Sequence, residues 1–288
     1  MNKCFSTDLY RAFHNKWFYA SLLVGVALAV GSIISVAVFQ LERIPVRLQQ
    51  ADISNPMVEA RSAYATWMGG EGVSVFSSIF FYAFPLLAVL PYAWSYQYEK
   101  AIGYQNHIMM KHSRGTYLAA KFGVVFITGG FVVLAPQIIN FLCTMAIFPL
   151  VRPDPSYLNY YGIFRETPFC DLFYEYPMLF IGYYLVLNFI FGGLFSCLAL
   201  SFSIWGVTRV LALLLPMLLC IPLHVIPQLL ANMVPSSLWV PELSPLYFLK
   251  QVSSRYFPSL TVILAEALIM AGTSLVTMVM QWRQKDVL

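Results

Sequence analysis

Long apolar runs alternate with short polar ones along the whole chain. Six runs are long enough to cross a bilayer as helices at about 1.5 Å per residue. They cover roughly 18–39, 73–93, 123–150, 177–202, 210–230 and 259–281. Pro85 and Pro91 in the second predict a bent or broken helix. The third carries Gly129, Gly130 and Pro136. Before the first run, Phe5, Leu9, Phe13 and Trp17 recur every four residues, with Asp8, Arg11, Asn15 and Lys16 on other faces. That pattern predicts an amphipathic helix over 1–17 lying in the membrane interface. The competing reading is a solvated start to the first span. Prolines 235, 241, 245 and 258, with apolar residues between them, predict short interfacial or re-entrant helices over 231–258. There is no residue repeat and no linker toward a soluble domain. Residues 1–288 therefore read as one transmembrane domain, an all-α polytopic membrane protein with six spans.

Composition agrees with a lipid solvent. The chain is 59% hydrophobic and 10% charged, against about 25% charged in soluble domains. The first apolar run is too long for a signal-peptide core, so it reads as a span. Cys4, Cys143, Cys170, Cys197 and Cys220 form no CxxC pair, which argues against a metal site and a disulfide framework.

Charge gives the orientation. With the N-terminus inside, ten of the 17 Lys and Arg residues fall in inside segments and seven outside. The first two outside segments carry net charges of −1 and −2. Both termini are therefore expected in the cytoplasm, in a multi-pass plasma membrane protein, bacterial by its overall design.

The longest polar interruption runs from Trp94 to Phe122. It holds Lys100, Lys111, Arg114 and Lys121 against Glu99 alone, with His107 and His112 in addition. Catalytic motifs are missing. There is no GxxxxGK[ST], no HExxH and no GxSxG. His107 and His112 are five apart, poor spacing for two ligands on one helical face. Glu266 is an acid inside the last span, LTVILAEALIMAGTSL. A carboxylate there is costly and points to function by default. It can line a substrate path, couple to protons or pair with a base, or it can simply reach toward the interface. Ala265, Ala267, Ala271, Gly272 and Ser274 predict close packing of this span on a neighbour. Tyr157, Tyr160, Tyr161, Tyr174, Tyr176 and Trp239 read as an aromatic belt rather than a substrate site.

The basic stretch YEKAIGYQNHIMMKHSRGTYLAAK resembles the membrane-spanning subunits of type-2 ATP-binding-cassette transporters. The pattern is a Glu, a Gly a few residues on, a basic segment with Ser-Arg, then a Lys opening the third span. Here these are Glu99, Gly103, Ser113-Arg114 and Lys121. The amphipathic start, the six spans, the short 203–209 connection and the ending RQKDVL agree. Tyr104 departs from the pattern, which more often has a small or polar residue after the Gly, and the first outside segment is long. The resemblance implies an exporter-type permease working as a homo- or heterodimer. A separate ATPase would bind ATP and Mg, with no cofactor on this chain and no nucleic-acid partner. Glu99 and the loop around it would dock in a groove of the ATPase. Arg114 and Lys121 would pair with ATPase acids or membrane lipid phosphates, and the competing reading for Lys111, Arg114 and Lys121 in this coupling loop is positive-inside anchoring alone. The expected cargo is amphipathic: a drug, a lipid-like molecule or an antimicrobial peptide. Two rivals remain open. One is an ATPase-independent secondary transporter with Glu266 as its coupling group. The other is a membrane protein that binds a peptide for immunity or sensing and moves nothing.

Overall fold

The computed structural model describes residues 2–50, 62–110, 113–157, 161–163, 167–233, 242–251 and 259–283. Twelve α-helices account for most of these, and no strand occurs among them. They are α1 (Asn2–Phe13), α2 (Lys16–Gln50), α3 (Ala63–Thr66), α4 (Val75–Val89), α5 (Ser95–Ala101) and α6 (Tyr104–Met109). Then follow α7 (Arg114–Ile147), α8 (Cys170–Glu175), α9 (Pro177–Ile204), α10 (Arg209–Met233), α11 (Pro245–Phe248) and α12 (Leu260–Arg283). Five are long and apolar enough to cross a membrane: Lys16–Gln40 of α2, all of α7 and α9, Arg209–Ile226 of α10, and α12. The chain is a polytopic helical membrane protein. The second predicted span, 73–93, appears as the shorter helix α4, with Pro85 inside it and a turn around Pro91 that leads into α5.

The core is the crossing of α7 and α9, the two most buried spanning helices, at 56% and 72% against 17% for α10 and α12. Glycines make the approach possible. A Cβ on Gly129 would lie 1.9 Å from Ser196 Oγ, and one on Gly193 would lie 2.4 Å from the Phe126 ring. Gly130 faces the Phe189 ring in the same way. Ser196 then donates to the Ala88 carbonyl at 2.7 Å, which ties α4 to the same crossing. Small residues at this contact let backbones meet where lipid offers no hydrophobic drive. Among the small residues of α12, Ala267 packs against the core and Ser274 is buried, while Gly272 has nothing within 4 Å of a would-be Cβ.

One end of the bundle carries α1, α5, α6 and the C-terminal turn of α12. At the other, two irregular segments fold back inward and form a cap. Trp67 is fully buried, and its indole N–H donates to Gln251 at 2.6 Å. The Gln251 amide donates to the Gly69 carbonyl at 2.8 Å. Asn140 of α7 bridges Met68 and Ala29, each at 2.8 Å. Every buried backbone group in such a segment needs a partner, and these side chains supply them. In the described part of 231–258, α11 starts after Ser244, whose side chain makes no capping bond, and is buried through Pro245, Leu246 and Phe248. Residues 234–241 and 252–258 lie outside the described residues.

Four expectations change. The α2 helix runs on to Gln50, so residues 40–50 are helical rather than loop. Good helix formers such as Gln40, Leu41 and Glu42 extend it. Trp17 belongs to α2, because the chain breaks at His14 and Asn15. The 94–122 stretch is mostly helix, with α7 starting at Arg114 under the Ser113 cap rather than near 123. Tyr161 and Tyr174 are buried in the cap, and the Tyr174 hydroxyl donates to the Ile163 carbonyl at 2.9 Å. They are core residues, while Tyr176 is exposed. Tyr160 and Trp239 lie outside the described residues, and nothing is assigned to the Tyr157 side chain.

Gly129→Val should cost about 3 kcal/mol, because neither Ser196 nor the Gly192 carbonyl can retreat. Gly272→Ala should be neutral or mildly stabilising in the helix. Thermal melting in detergent separates the two; equal melting temperatures would contradict the crossing.

Candidate functional site

At the α1 end lies a buried ion network that joins three elements. Lys121, on α7, has no exposed surface at all. Its ammonium lies 2.7 Å from Glu99 Oε1 and 3.6 Å from Asp8 Oδ2. It also donates to the Tyr92 hydroxyl at 3.4 Å and sits 4.4 Å from that ring's centroid. Glu99, on α5, is 1% exposed. Its second oxygen accepts the Tyr117 hydroxyl at 2.6 Å. Tyr117 and Lys121 are one helical turn apart, so both reach the same carboxylate from one face of α7. Arg11 of α1 adds a third donor to Glu99, at 3.3 Å.

The local sequence explains how these groups arrive together. The buried line of α1 is Cys4, Asp8 and Ala12, at four-residue spacing. Phe5 and Leu9 flank it, and the Phe5 ring lies against Gly123 of α7. Phe13 packs edge-on to Phe18 and Phe131. Trp17, in the next helix, is exposed. Asp8 therefore belongs to the packing face of the amphipathic helix. This corrects its expected place on a solvated face. The physical reason is Lys121, whose charge offsets a buried acid. Burial pushes the Asp8 carboxyl up, and Lys121 only partly opposes this.

The α5–α6 corner is built with equal economy. Gly103 has φ +73°, the left-handed position that ends α5. Tyr104, the departure from the permease pattern, lies under the Arg11 guanidinium at 4.7 Å. Gln105 is buried and donates to the Tyr96 carbonyl at 3.1 Å. Arg114, in the first turn of α7, donates to Gln281 of α12 at 2.5 Å. Trp282 packs beside Gly115. Outward from this clamp, the corner presents Tyr98, Ile102 and Met110, at 42%, 56% and 77% exposure.

Of the residues nominated by the sequence, Glu99 and Lys121 meet each other inside the protein. Neither charge is presented on the surface of the loop, so Lys121 is not an anchor to lipid phosphate. Its buried position is held by carboxylates that water and lipid cannot replace. Gly103 shapes the corner and Arg114 braces α12. Lys111 lies outside the described residues. Glu266 stands apart from this network, half-buried on α12. Asp8, Arg11, Tyr92 and Tyr117 were not nominated. The signal for Asp8 is an acid on the same stripe as Cys4 and Ala12; for Tyr117 it is the i, i+4 relation to Lys121.

Among the described residues, no group of three His, Cys, Asp or Glu side chains can hold a metal ion. A cavity at the cap end is lined by Arg152, Asp154, Asp171, Tyr174 and Glu175. It includes none of the nominated residues. No family model matches the chain, and no curated protein or solved structure matches it.

Lys121→Met should cost about 3–5 kcal/mol, because it leaves Glu99 and Asp8 buried without their cation. Lys121→Met with Glu99→Gln should recover part of that loss, and a double-mutant thermal cycle reads the coupling. A strictly additive pair would refute the network.

The raised Asp8 carboxyl also sets a pH dependence. The folded chain binds this proton more tightly than the unfolded one. Stability from this group thus grows as pH falls through the raised value and is lost as pH climbs. Asp8→Asn should match or exceed the parent's melting temperature at alkaline pH, with the advantage shrinking on acidification. A lower melting temperature in alkali would mean that Lys121 needs the Asp8 charge.

Proposed function

We propose that this chain is the membrane-spanning permease subunit of an ATP-binding-cassette transporter. It moves an amphipathic substrate outward using ATP hydrolysed by a separate subunit. The observation that carries this reading is the α5–α6 corner. It is a short helical knob with an exposed apolar tip, fixed by buried ions to α1 and α7. The chain has no P-loop of its own, so ATP-driven movement draws its energy from a partner. A knob clamped to a spanning helix transmits a push; a solvated loop does not.

In this reading α4 is the second of six spans, both termini are cytoplasmic, and the protein sits in a bacterial plasma membrane. The positive-inside count supports a cytoplasmic position for α5 and α6. The ATPase groove receives Tyr98, Ile102 and Met110. Glu99 acts as a positioning residue, holding the knob through Lys121 rather than touching the ATPase. Arg114 passes the movement to α12 through Gln281. Two permease copies form the path, and ATP with Mg resides in the partner.

The test is purification of the full chain from its native membrane, followed by assay of the associated ATPase. A P-loop ATPase should co-purify. Ile102→Asp should abolish substrate-stimulated hydrolysis while leaving the melting temperature within about 1 °C, since an exposed position carries little stability. A chain that purifies alone and moves substrate on a proton gradient would overturn the proposal in favour of a secondary transporter.

A further inference from the structure

The cavity at the cap end holds charges of both signs that do not pair with each other. Its volume is about 550 Å³, and its charged lining is Arg152, Asp154, Asp171 and Glu175. That size falls within the range of small-molecule sites, roughly 300–1,000 Å³. Among the described residues, none of the ion pairs includes any of these four side chains. All four are exposed, so the cavity is open to solvent.

Two walls hold the charges. One is α8, where Phe173 is fully buried and packs edge-on against Tyr161 and Phe180. Cys170 and Tyr174 are buried beside it. Asp171 and Glu175, four residues apart, are left side by side at the cavity. Like charges at that spacing destabilise a helix, so the chain gains nothing from this pair on its own. The other wall is 152–155. The Ala63 amide donates to the Pro149 carbonyl at 3.0 Å, and the Ser62 hydroxyl donates to the Val151 carbonyl at 2.6 Å, which fixes the chain just before it. Pro153 and Pro155 restrict its backbone. The Ser156 amide, 2.8 Å from Asp154, holds that carboxyl below its ordinary range, so it is ionised. Arg152 joins the two walls, its Nε–H donating to the Tyr174 carbonyl at 2.6 Å. Its two terminal nitrogens have no partner among the described residues. A cavity braced in this way loses little order when it binds.

Three carboxylates outnumber one guanidinium, so a ligand that neutralises the cavity carries excess positive charge. The guanidinium at the same cavity calls for a carboxylate on that ligand, which its planar fork of donors fits. A metal ion does not suit the site. No group of three acidic side chains among the described residues can hold one, and the cavity is far larger than an ion.

We propose that this cavity binds a basic zwitterion, with its carboxylate on Arg152 and its ammonium groups on Asp154, Asp171 and Glu175. A basic amino acid and the basic C-terminus of a peptide both carry that chemistry. The site goes beyond the permease reading and does not depend on an ATPase.

The experiment is isothermal titration of the full chain in maltoside micelles. The probes are the tripeptide Leu-Lys-Lys, its C-terminal amide, its analogue with norleucine in place of both lysines, and free L-lysine. Saturable binding of Leu-Lys-Lys is expected, about fivefold or more weaker for the amide and absent for the norleucine analogue. Lysine binding as tight as the tripeptide identifies an amino-acid site, and weaker lysine binding identifies the end of a peptide; either result supports the zwitterion. Asp171→Asn combined with Glu175→Gln should weaken Leu-Lys-Lys about tenfold at an unchanged melting temperature, since both positions are exposed. Arg152→Gln should erase the preference for the free acid over the amide. If that variant is not monodisperse, the acid and amide on the parent chain decide the role of Arg152. Glu42→Gln, at an exposed acid outside the cavity, should change nothing. The site is overturned by no saturable binding of Leu-Lys-Lys, by equal binding of the norleucine analogue, or by equal binding of acid and amide to the parent. Full affinity in the Asp171 and Glu175 double variant also overturns it. So does equal weakening by Glu42→Gln, which would reveal a diffuse acidic surface.

Discussion

The Lys121 ammonium has no contact with water, and the organisation of one end of the molecule follows from that. An unpaired charge at such depth is unstable by several kcal/mol. It is tolerated because Glu99, Asp8, Tyr92 and Tyr117 surround it. Those partners come from α1, α5, the turn before α5, and α7 itself. Removing α5 or α7 strands a buried charge, while α1 and the turn complete the polar shell around the pair. Arg11 extends the set outward, with one face on Tyr104 and an N–H on Glu99.

The mechanical consequence is that 95–110 is not a slack connection. The α5–α6 corner is tied to α7 through Glu99 and Tyr117. The α7 helix is locked to α9 at the glycine crossing, and Arg114 reaches Gln281 of α12. A displacement at the corner is therefore passed to spanning helices through short polar contacts and close backbone packing. Packed interfaces of this kind switch between discrete arrangements rather than bending gradually. The cap has a matching device. Trp67, Gln251 and Asn140 fix its two irregular segments to each other and to α7.

Much of this was legible in the apolar pattern. Spans four and six lie within a few residues of their predicted limits, as does the short connection between α9 and α10. The amphipathic start is a helix, and Phe5 and Leu9 pack against the core. The pattern was less informative where polar residues turn inward. Asp8 and Lys121 read as surface charges, because hydropathy treats each residue alone. The cost of burying either one is offset, in part, only when the other is present. Tyr161 and Tyr174 read as an interfacial belt, since tyrosine suits an interface as well as a hydrogen-bonded core.

The sequence by itself determined the solvent, the helical class and the approximate spans. These depend on the sum of apolar area over about twenty residues, a local quantity that any neighbouring structure leaves unchanged. The grouping of Glu99, Gly103, Arg114 and Lys121 came from the resemblance of one stretch to permease subunits. Only the tertiary structure decided that Glu99 and Lys121 face each other rather than a partner, and that Asp8 joins them. The same holds for the glycines that matter, which are those of α7 and α9 rather than α12. Each of these turns on contacts between residues far apart in the chain. Pairing energies of that kind are absent from any local pattern, because they exist only once the helices have met.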